Sequence, residues 1–297
     1  MKSNKIRMSI HDREKPTTRK YHKAHGVLHR SFTERSAIIL LIAGCYTAAA
    51  LAVEEAESDW GFDLVLGWAW KDIDGTMFSA NPPLSGAGTA DSLGLGSSSE
   101  PQAAFGVRWK QLHVDLVYLP SEFEGNGHIA QVLDFGNGPV LGTTTAVSSD
   151  LKVTMALANV EYDLLKRKDM DWGVGVGIGK VGLDIKMQPQ TGPRVDIEGD
   201  VPFGYLTTSF AKRWQKFSVD FTVQGLSFSQ GDVSMSYKSV SIAGGYKLFA
   251  KDQLRFDLVG GYHYVDFDYE FDDDSTGVKT STDFTLTGPY VGVRMGW

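Results

Sequence analysis

Three histidines and two serines are the residues of this sequence that could carry nucleophilic chemistry. His113, His128 and His263 are the histidines beyond residue 52. A serine that a histidine activates, with an acidic residue to orient the histidine, can transfer acyl groups. Ser209 and Ser227 are the serines that we expect nearest to His263, but no G-x-S-x-G motif links them. We therefore predict no enzymatic activity, and we expect an inward-facing histidine to be a hydrogen-bonded interior residue.

Carboxylates are concentrated in one stretch near the end of the chain, VDFDYEFDDDS. Oxygen ligands at this density could bind Ca²⁺ or Mg²⁺. The spacing does not fit an EF-hand loop, and no glycine stands where that loop needs one. An ordinary solvated loop is therefore the favoured interpretation, and we predict no cofactor. The weak metal-binding candidates are Asp272, Asp273 and Asp274.

The elements that must position these residues are strands. In WGFDLVLGWAWKD, which begins at Trp60, large apolar residues alternate with small or polar ones. A period of two indicates a strand, and about eleven residues is the length of a tilted strand that crosses a bilayer. The alternation recurs along the chain, and WGVGVGIGK at residues 172–180 is the plainest case. We predict an all-β fold: an up-and-down antiparallel transmembrane β-barrel of about ten strands, with a range of about eight to twelve.

The connections between these strands alternate in length. Tight turns occur near residues 110, 168, 214 and 251, whereas longer connections lie mostly near 72–100, 120–150, 186–200, 229–232 and 271–280. Short turns at one end and long loops at the other are typical of bacterial transmembrane barrels. An even number of strands places both termini of the barrel at the short-turn end.

The composition of the two strand faces indicates which face contacts lipid. A soluble lipocalin-like barrel is the main alternative, and its outer face would carry many Lys and Glu. Here the polar face is rich in Gly, Ser and Thr, which suits a crowded interior. The tryptophans fall near the predicted short-turn ends, where an interfacial aromatic girdle would lie; they are Trp60, Trp109, Trp172, Trp214 and Trp297.

The last ten residues, GPYVGVRMGW, carry a resemblance to a known class of protein. The stretch resembles the C-terminal signal of Gram-negative outer-membrane β-barrels, in which a terminal aromatic residue follows apolar residues at alternate positions. The matching positions are Val291, Val293, Met295 and Trp297. The resemblance to these small, largely uncharacterised barrels implies an outer-membrane location, periplasmic termini and recognition by the barrel-assembly machinery. It implies little about function.

If the apolar faces point outward, the alternate positions place charged residues in the lumen, mostly in its periplasmic half. Unpaired charges in a narrow interior are costly, so we expect a satisfied network of ion pairs. The favoured interpretation is a plug that fills the barrel, and the alternative is a gated constriction in which Arg294 or Arg108 exchanges acidic partners. The predicted charge layer comprises Asp63, Arg108, His113, Asp115, Glu161, Asp220, Lys247, Arg255, Asp257 and Arg294.

The first 52 residues form a separate region. A basic segment is followed by the uncharged run SAIILLIAGCYTAAALA, which is typical of a secretory signal that is cut after Ala52. The alternative is lipid attachment at Cys45, because IAGC resembles a lipobox. After cleavage at Ala52, residues 53–297 would be one barrel domain without cysteine. With 19 Lys and Arg against 33 Asp and Glu, this domain has a net charge of −14, which argues against nucleic acid as a partner.

These observations predict an exported outer-membrane barrel in contact with lipid and lipopolysaccharide. A barrel of about ten strands leaves little lumen once side chains fill it. We therefore expect a structural or surface role, or very limited passage of small solutes. The alternatives are a gated small-solute pore, an enzyme that modifies lipid A in the outer leaflet, and a soluble lipocalin-like barrel. The solute, loop partners and oligomeric state are not determined by the sequence.

Overall fold

Ten long antiparallel strands form a closed ring. A computed structural model of the chain describes residues 7–10, 60–80, 86–129, 133–134, 140–141, 145–190, 194–251, 253–273 and 278–297. The ring strands are β2 (Trp60–Ala80), β4 (Ser98–Trp109), β5 (Leu112–Ile129), β8 (Thr145–Arg167), β9 (Met170–Pro189), β10 (Val195–Arg213), β11 (Phe217–Gln230), β12 (Val233–Lys251), β13 (Leu254–Asp273) and β14 (Val278–Gly296).

Each ring strand pairs with its sequence neighbours, and the last strand closes on the first. β14 pairs with β2 from Gly296↔Asp63 upward. The terminal residue completes the ladder, because the Phe62 N–H donates to the Trp297 carbonyl at 2.8 Å and the Trp297 N–H donates back at 3.0 Å. The predicted up-and-down antiparallel barrel of about ten strands is therefore confirmed.

Five short elements complete the described structure. They are β1 (Arg7–Ile10), β3 (Gly86–Thr89), α1 (Ala90–Leu93), β6 (Leu133–Asp134) and β7 (Val140–Leu141). β1 pairs with β10 but belongs to the predicted signal region, whose predicted cleavage site after Ala52 and whose Cys45 lie outside the described residues. Thr89 caps α1 by accepting a hydrogen bond from the Ser92 N–H at 3.1 Å. No helix among the described residues is long and apolar enough to cross a bilayer.

The turns lie where the sequence predicts them, but the strands are longer than expected. Two-residue or three-residue turns join β4 to β5, β8 to β9, β10 to β11 and β12 to β13 at one end. At the other end, however, the predicted loop at 72–100 is strand as far as Ala80, and most of the predicted loop at 120–150 is also strand. The barrel therefore extends well beyond one bilayer-spanning segment of each strand.

An apolar belt surrounds the half of the barrel next to the short turns. Its outward side chains include Val176, Ile178 and Leu206, of which Ile178 is 71% exposed. Aromatic residues border the belt at both ends, because Trp60 stacks on Trp109 at 5.7 Å near the short turns, and Trp68, Trp70, Tyr118, Tyr262 and Tyr264 lie exposed toward the long-loop end. Trp70 lies ten positions after Trp60, which is about 33 Å along a strand and about 25 Å after a tilt of about 40°.

The inward face changes character halfway along the barrel. Next to the short turns it is polar, whereas the outer half of the lumen is filled by a hydrophobic core. Eight of the ten ring strands contribute to this core, so it extends across the lumen. Its fully buried members, which we call the outer-half core, include Met77, Leu93, Phe123, Leu151, Met155, Ile185, Met187, Tyr237, Phe267 and Phe284.

One splayed pair of strands is filled by other parts of the chain. β4 and β5 pair at seven positions and then separate. Above this point the Gly96 N–H donates to the Glu124 carbonyl at 3.1 Å. From β2, the buried ammonium of Lys71 donates to the Pro120 carbonyl at 2.8 Å and to the Ser121 hydroxyl at 3.0 Å. The separation between β4 and β5 is thereby closed.

Candidate functional site

A polar cavity lies in the lumen below the outer-half core. Its volume is about 290 Å³. Six of the residues predicted from the sequence line it: Arg108, His113, Asp115, Glu161, Asp220 and Arg294. Three of the other four, Lys247, Arg255 and Asp257, line a smaller space of about 30 Å³ nearer the short turns, and Asp63 forms ion pairs with Arg108 and Arg255.

Glu161 is the centre of a hydrogen-bonded network in the middle of the lumen. The residue is 4% exposed. Its carboxylate accepts hydrogen bonds from the Asn159 amide at 3.1 Å, from the Thr207 hydroxyl at 2.9 Å and from the Ser209 hydroxyl. The same Asn159 amide donates to Asp115 at 3.1 Å. Two neighbouring carboxyl groups are therefore held by one amide and two hydroxyls, with three of the four hydrogen bonds made to Glu161 and one to Asp115.

His113 forms a buried pair with an acid that the sequence reading did not include. The His113 Nε2 lies 3.0 Å from an Oδ2 of Asp163, whose side chain is completely buried. The two residues lie on neighbouring strands, because β5 and β8 pair at His113↔Glu161, two residues from Asp163. The histidine is thus an interior residue beside a buried acid, but neither its Nε2 nor the two Asp163 carboxylate oxygens have a hydrogen-bond partner among the described residues, so the hydrogen bond that we expected for an inward-facing histidine is not seen at this nitrogen.

Arginines and aspartates alternate around the short-turn end of the lumen. Asp171 lies 2.6 Å from an Nη1 of Arg213 and 3.5 Å from an Nη1 of Arg108. Asp63 lies 3.6 Å both from Arg108 and from Arg255. Because Asp63 is equidistant from two guanidinium groups and Arg108 is shared between two carboxylates, more than one pairing of this layer is possible.

Two further ion pairs complete this layer. The Arg255 Nε lies 2.9 Å from an Oδ2 of Asp257, and the Arg294 Nη2 lies 2.7 Å from an Oδ2 of Asp220. Arg294 belongs to the last strand, so the pair with Asp220 reaches across the lumen to β11. The contact between Arg294 and Asp220 is a charge-assisted hydrogen bond, which is stronger than a neutral one, whereas Arg255 and Asp257 form an ion pair without hydrogen-bond geometry.

Inward-facing glycines leave room for the larger lumen side chains. A Cβ on Gly177 would lie 2.2 Å from the ring of Tyr205, and a Cβ on Gly106 would lie 2.7 Å from a carboxylate oxygen of Asp115. Alanine at either position would therefore displace a buried side chain. This explains why the polar face of the strands is rich in glycine.

Several residues of the site were absent from the prediction. Asp163 and Asn159 flank Glu161 at a spacing of two, and Asp171 has the same parity as the inward glycines of β9, so alternation could have identified all three. Arg213 lies next to a turn, where alternation is less informative. The hydroxyl ligands of Glu161 carry no distinguishing signal in the sequence.

The residues considered for nucleophilic chemistry occupy three different environments. His263 lines the polar cavity and stacks on Tyr290, with ring centroids 4.4 Å apart. Ser209 lines the same cavity but donates its hydroxyl hydrogen bond to Glu161. Ser227 lies exposed on β11, and His128 lies exposed in the outer half of β5.

The acidic stretch forms the outer end of β13 rather than the predicted loop. Asp268 lies directly opposite Asp283 of β14, and burial followed by the charge of Asp283 raises the pKa of Asp268 above its usual value. Asp272 and Asp273 pair with β14, whereas Asp274 and the side chain of Asp273 lie outside the described residues. Within the described part of the chain, no group of three His, Cys, Asp or Glu side chains has metal-binding geometry.

Comparisons with known proteins find weak similarity to solved structures. Neither a family model nor a curated protein sequence matches the chain. The outer-membrane protease OmpT from Escherichia coli has 11% identity and a TM-score of 0.46, with 83% of this chain and 99% of that chain covered. The toluene transporter TbuX from Ralstonia pickettii has 10% identity and a TM-score of 0.34 (81% and 90% covered), and the outer membrane protein AlkL has 11% identity and a TM-score of 0.36 (83% and 94% covered).

These similarities are too weak to support an argument about activity. The class of the protein rests on its own ring of paired strands: it is an up-and-down antiparallel β-barrel of ten strands with a charged lumen and an apolar outer belt.

Proposed function

We propose that this protein is an outer-membrane β-barrel that crosses the bilayer with the half of its strands next to the short turns. The apolar belt is the observation that carries the proposal. Soluble monomers rarely expose contiguous apolar patches above a few hundred Å², whereas here exposed large hydrophobic side chains occur on all ten ring strands. A height of about 25 Å and aromatic borders at both ends match the lipid-facing band of such barrels.

The lumen of this barrel is plugged rather than open. The outer-half core, to which eight strands contribute, lies across the lumen on one side of the polar cavity. The ion pairs among Arg108, Asp171, Arg213, Asp63, Arg255 and Asp257 occupy the other side. Because water and ions would have to cross a dry hydrophobic layer, the role is structural or at the cell surface, with at most very limited passage of small solutes.

Orientation and partners follow from this placement. The short turns and both ends of the barrel domain face the periplasm, and the protruding outer half meets lipopolysaccharide at the cell surface. Residues 1–52 serve as the export signal with cleavage after Ala52, and the barrel-assembly machinery recognises the last strand through Val291, Val293, Met295 and Trp297. The protein acts without enzymatic activity, cofactor or nucleic acid.

A gated pore is the second candidate, and the geometry around Asp63 favours it. Asp63 is equidistant from Arg108 and Arg255 at 3.6 Å. A movement of either guanidinium group would therefore exchange partners at little electrostatic cost, which could open the short-turn end of the lumen. The outer-half core would still have to open for conduction to follow.

Planar-bilayer recording of the refolded protein separates these proposals. Stable insertion without conductance steps is the result that we expect from a plugged barrel. Reproducible discrete steps that change in Arg108→Gln, with Lys238→Gln at the exposed outer surface as the matched control, would support the gated pore instead. A protein that remains soluble and does not insert would refute the membrane assignment and favour the lipocalin-like barrel.

A further inference from the structure

The short-turn end of the barrel is strongly basic, although the barrel domain as a whole is acidic. With two flanking residues on each side, the four tight turns comprise residues 108–113, 166–171, 212–218 and 250–255. These segments contain ten Lys and Arg and three Asp, which gives them a net charge of +7. Because residues 53–297 have a net charge of −14, the remainder of the domain carries −21. The charge of the barrel is therefore sharply divided between the short turns and the rest.

The cations of three neighbouring turns form one continuous surface. β5 pairs with β8, and β9 pairs with β10, so the turns β4–β5, β8–β9 and β10–β11 follow one another around the ring. The Lys166 ammonium donates to the Lys110 carbonyl, and Lys212 pairs with Asp169, so each turn contacts the next. Five of these cations are exposed, and Lys212 and Arg213 are half-buried. This surface, which we call the basic rim, comprises Lys110, Lys166, Arg167, Lys168, Lys212, Arg213 and Lys216.

Neighbouring acids do not neutralise the basic rim. Asp169 pairs with Lys212, and Asp171 pairs with Arg213 at 2.6 Å. The rim cations that form no ion pair with an acid in the described part of the chain include Arg167, Lys168 and Lys216. The rim therefore presents an excess of positive charge to the surroundings of the barrel.

The basic rim continues the outward face of the apolar belt. Along β8 the outward residues Tyr162 and Leu164 are 50% and 53% exposed, and Lys166 is the next residue on that face. Along β10, Lys212 follows the exposed Phe210 in the same way. Two positions along a strand are about 7 Å. The ammonium groups therefore begin where the lipid-facing side chains end.

Exposed tryptophans lie among the rim cations. The Lys110 ammonium lies over the ring of Trp109, 5.3 Å from its centroid, and Trp214 is 53% exposed within the β10–β11 turn. Tryptophans gather at the headgroup level of a membrane, and the headgroup layer is about 5–7 Å thick on each side of the hydrocarbon. In the proposed placement, the rim cations therefore lie in the layer that contains the lipid phosphates.

We propose that the basic rim binds the headgroup phosphates of anionic phospholipids in the leaflet beside the short turns. The inference rests on the proposed membrane insertion. Each Lys or Arg near an anionic membrane surface strengthens binding by about fivefold, whereas a zwitterionic headgroup has no net charge to offer. An acidic soluble partner would not require the cations to continue the outward face of the belt, so the geometry favours lipid.

Quenching of tryptophan fluorescence by brominated lipids measures this preference. The refolded protein is reconstituted into vesicles with equal amounts of phosphatidylcholine and phosphatidylglycerol, in which the acyl chains of one lipid or the other carry bromine. Brominated phosphatidylglycerol should quench more strongly, with a relative association constant of about five at low salt and near one at about 1 M salt, where the Debye length is about 3 Å. Equal quenching by the two lipids at low salt would overturn the rim proposal alone. Absence of quenching by either lipid would overturn the membrane assignment itself.

A matched pair of triple variants tests whether the rim is the site. The rim variant carries Lys166→Gln, Arg167→Gln and Lys168→Gln. The control carries Lys152→Gln, Lys186→Gln and Arg194→Gln, which remove the same charges from ion pairs in the outer half. The rim variant should lose most of the preference for phosphatidylglycerol, and the control should keep it. Equal loss in both variants would overturn the assignment to the rim, and the salt dependence of the wild type decides the proposal if the rim variant does not refold.

Discussion

Removing the ring of Phe267 should destabilise the barrel far more than removing a lipid-facing ring. Phe267 is fully buried in the outer-half core, with ring centroids 5.3 Å from Phe284 and 6.0 Å from Phe203. Truncation of a buried Phe to Ala costs about 3–5 kcal/mol. Aromatic pairs add about 0.5–1.5 kcal/mol beyond burial, so the loss of two such contacts places Phe267→Ala near the upper end of that range.

Phe221→Ala is the matched control. Phe221 lies in the belt on β11 and is 40% exposed. Lipid chains can occupy the space that its ring leaves, so no cavity forms and the cost should remain near about 1 kcal/mol. The assay is reversible urea unfolding in phospholipid vesicles, followed by tryptophan fluorescence and by the mobility of folded and unfolded protein on unheated gels.

The two variants together test whether the outer half is a packed core. A free energy of unfolding for Phe267→Ala within about 1 kcal/mol of the wild type would contradict the reasoning, because a dry, interdigitated core cannot lose a phenyl ring at so little cost. An equally large effect of Phe221→Ala would contradict the assignment of the belt to lipid. Recordings on Phe267→Ala also show whether the cavity in the core permits conduction.

Three further predictions concern charge pairs and the last residue. The raised pKa of Asp268 means that the folded state binds the Asp268 proton more tightly than the unfolded state, so stability falls as pH rises through that titration. Asp283→Asn removes the negative charge that faces Asp268. It should therefore stabilise the barrel by about 0.3 kcal/mol at neutral pH and have no effect near pH 3. Arg294→Gln should cost about 2–3 kcal/mol because it leaves Asp220 without its partner in the lumen, and Asp220→Asn in the same chain should restore part of the loss. Trp297→Ala should lower the yield of assembled barrel in cells more than it lowers refolding into detergent.

Each of these predictions has a control. Asp266 pairs with Lys238 at 3.1 Å on the same strand as Asp268, so Asp266→Asn should show the opposite sign at neutral pH, and equal effects would remove the electrostatic explanation. Full additivity of the Arg294 and Asp220 substitutions in urea unfolding would show that the two side chains do not interact. Trp172→Ala removes a girdle residue away from the terminus, and equal loss of assembly in both tryptophan variants would argue against a specific terminal signal.

The alternation of side chains was sufficient to predict the architecture. A strand places successive residues on opposite faces, so the apolar positions from Trp60 onward, the inward glycines of β9 and the tight turns between strands indicate a barrel without further information. The same rule placed Asp63, Glu161 and Arg294 together in one lumen, because residues of equal parity on neighbouring strands share a face. These features depend on local geometry, which the sequence carries directly.

The tertiary structure decided in which half of the barrel the apolar residues face outward and in which half they face the lumen. Along β8, Val160 and Tyr162 face outward and are exposed, whereas Leu151 and Met155 face inward and are buried. The parity that faces inward does not change between the two halves; the apolar residues move from the outer face to the inner face. The apolar residues of β8 change parity along the sequence, but the inward set finds its packing partners only when the ring closes around the lumen. The predicted loops at 72–100 and 120–150 were therefore too long.

The ion-pair partners and the incomplete pairing between β10 and β11 also needed the closed ring. Arg294 is separated from Asp220 by 74 positions along the chain, and only the curvature of the barrel brings the two side chains to 2.7 Å. The prolines are a signal that could have indicated the breaks in pairing, since Pro120 and Pro202 both lie where a strand separates from one neighbour. Contacts between distant segments decide that Lys71 fills one separation and that the other remains open. The sequence alone therefore determines the barrel, and the tertiary structure determines where its wall is closed.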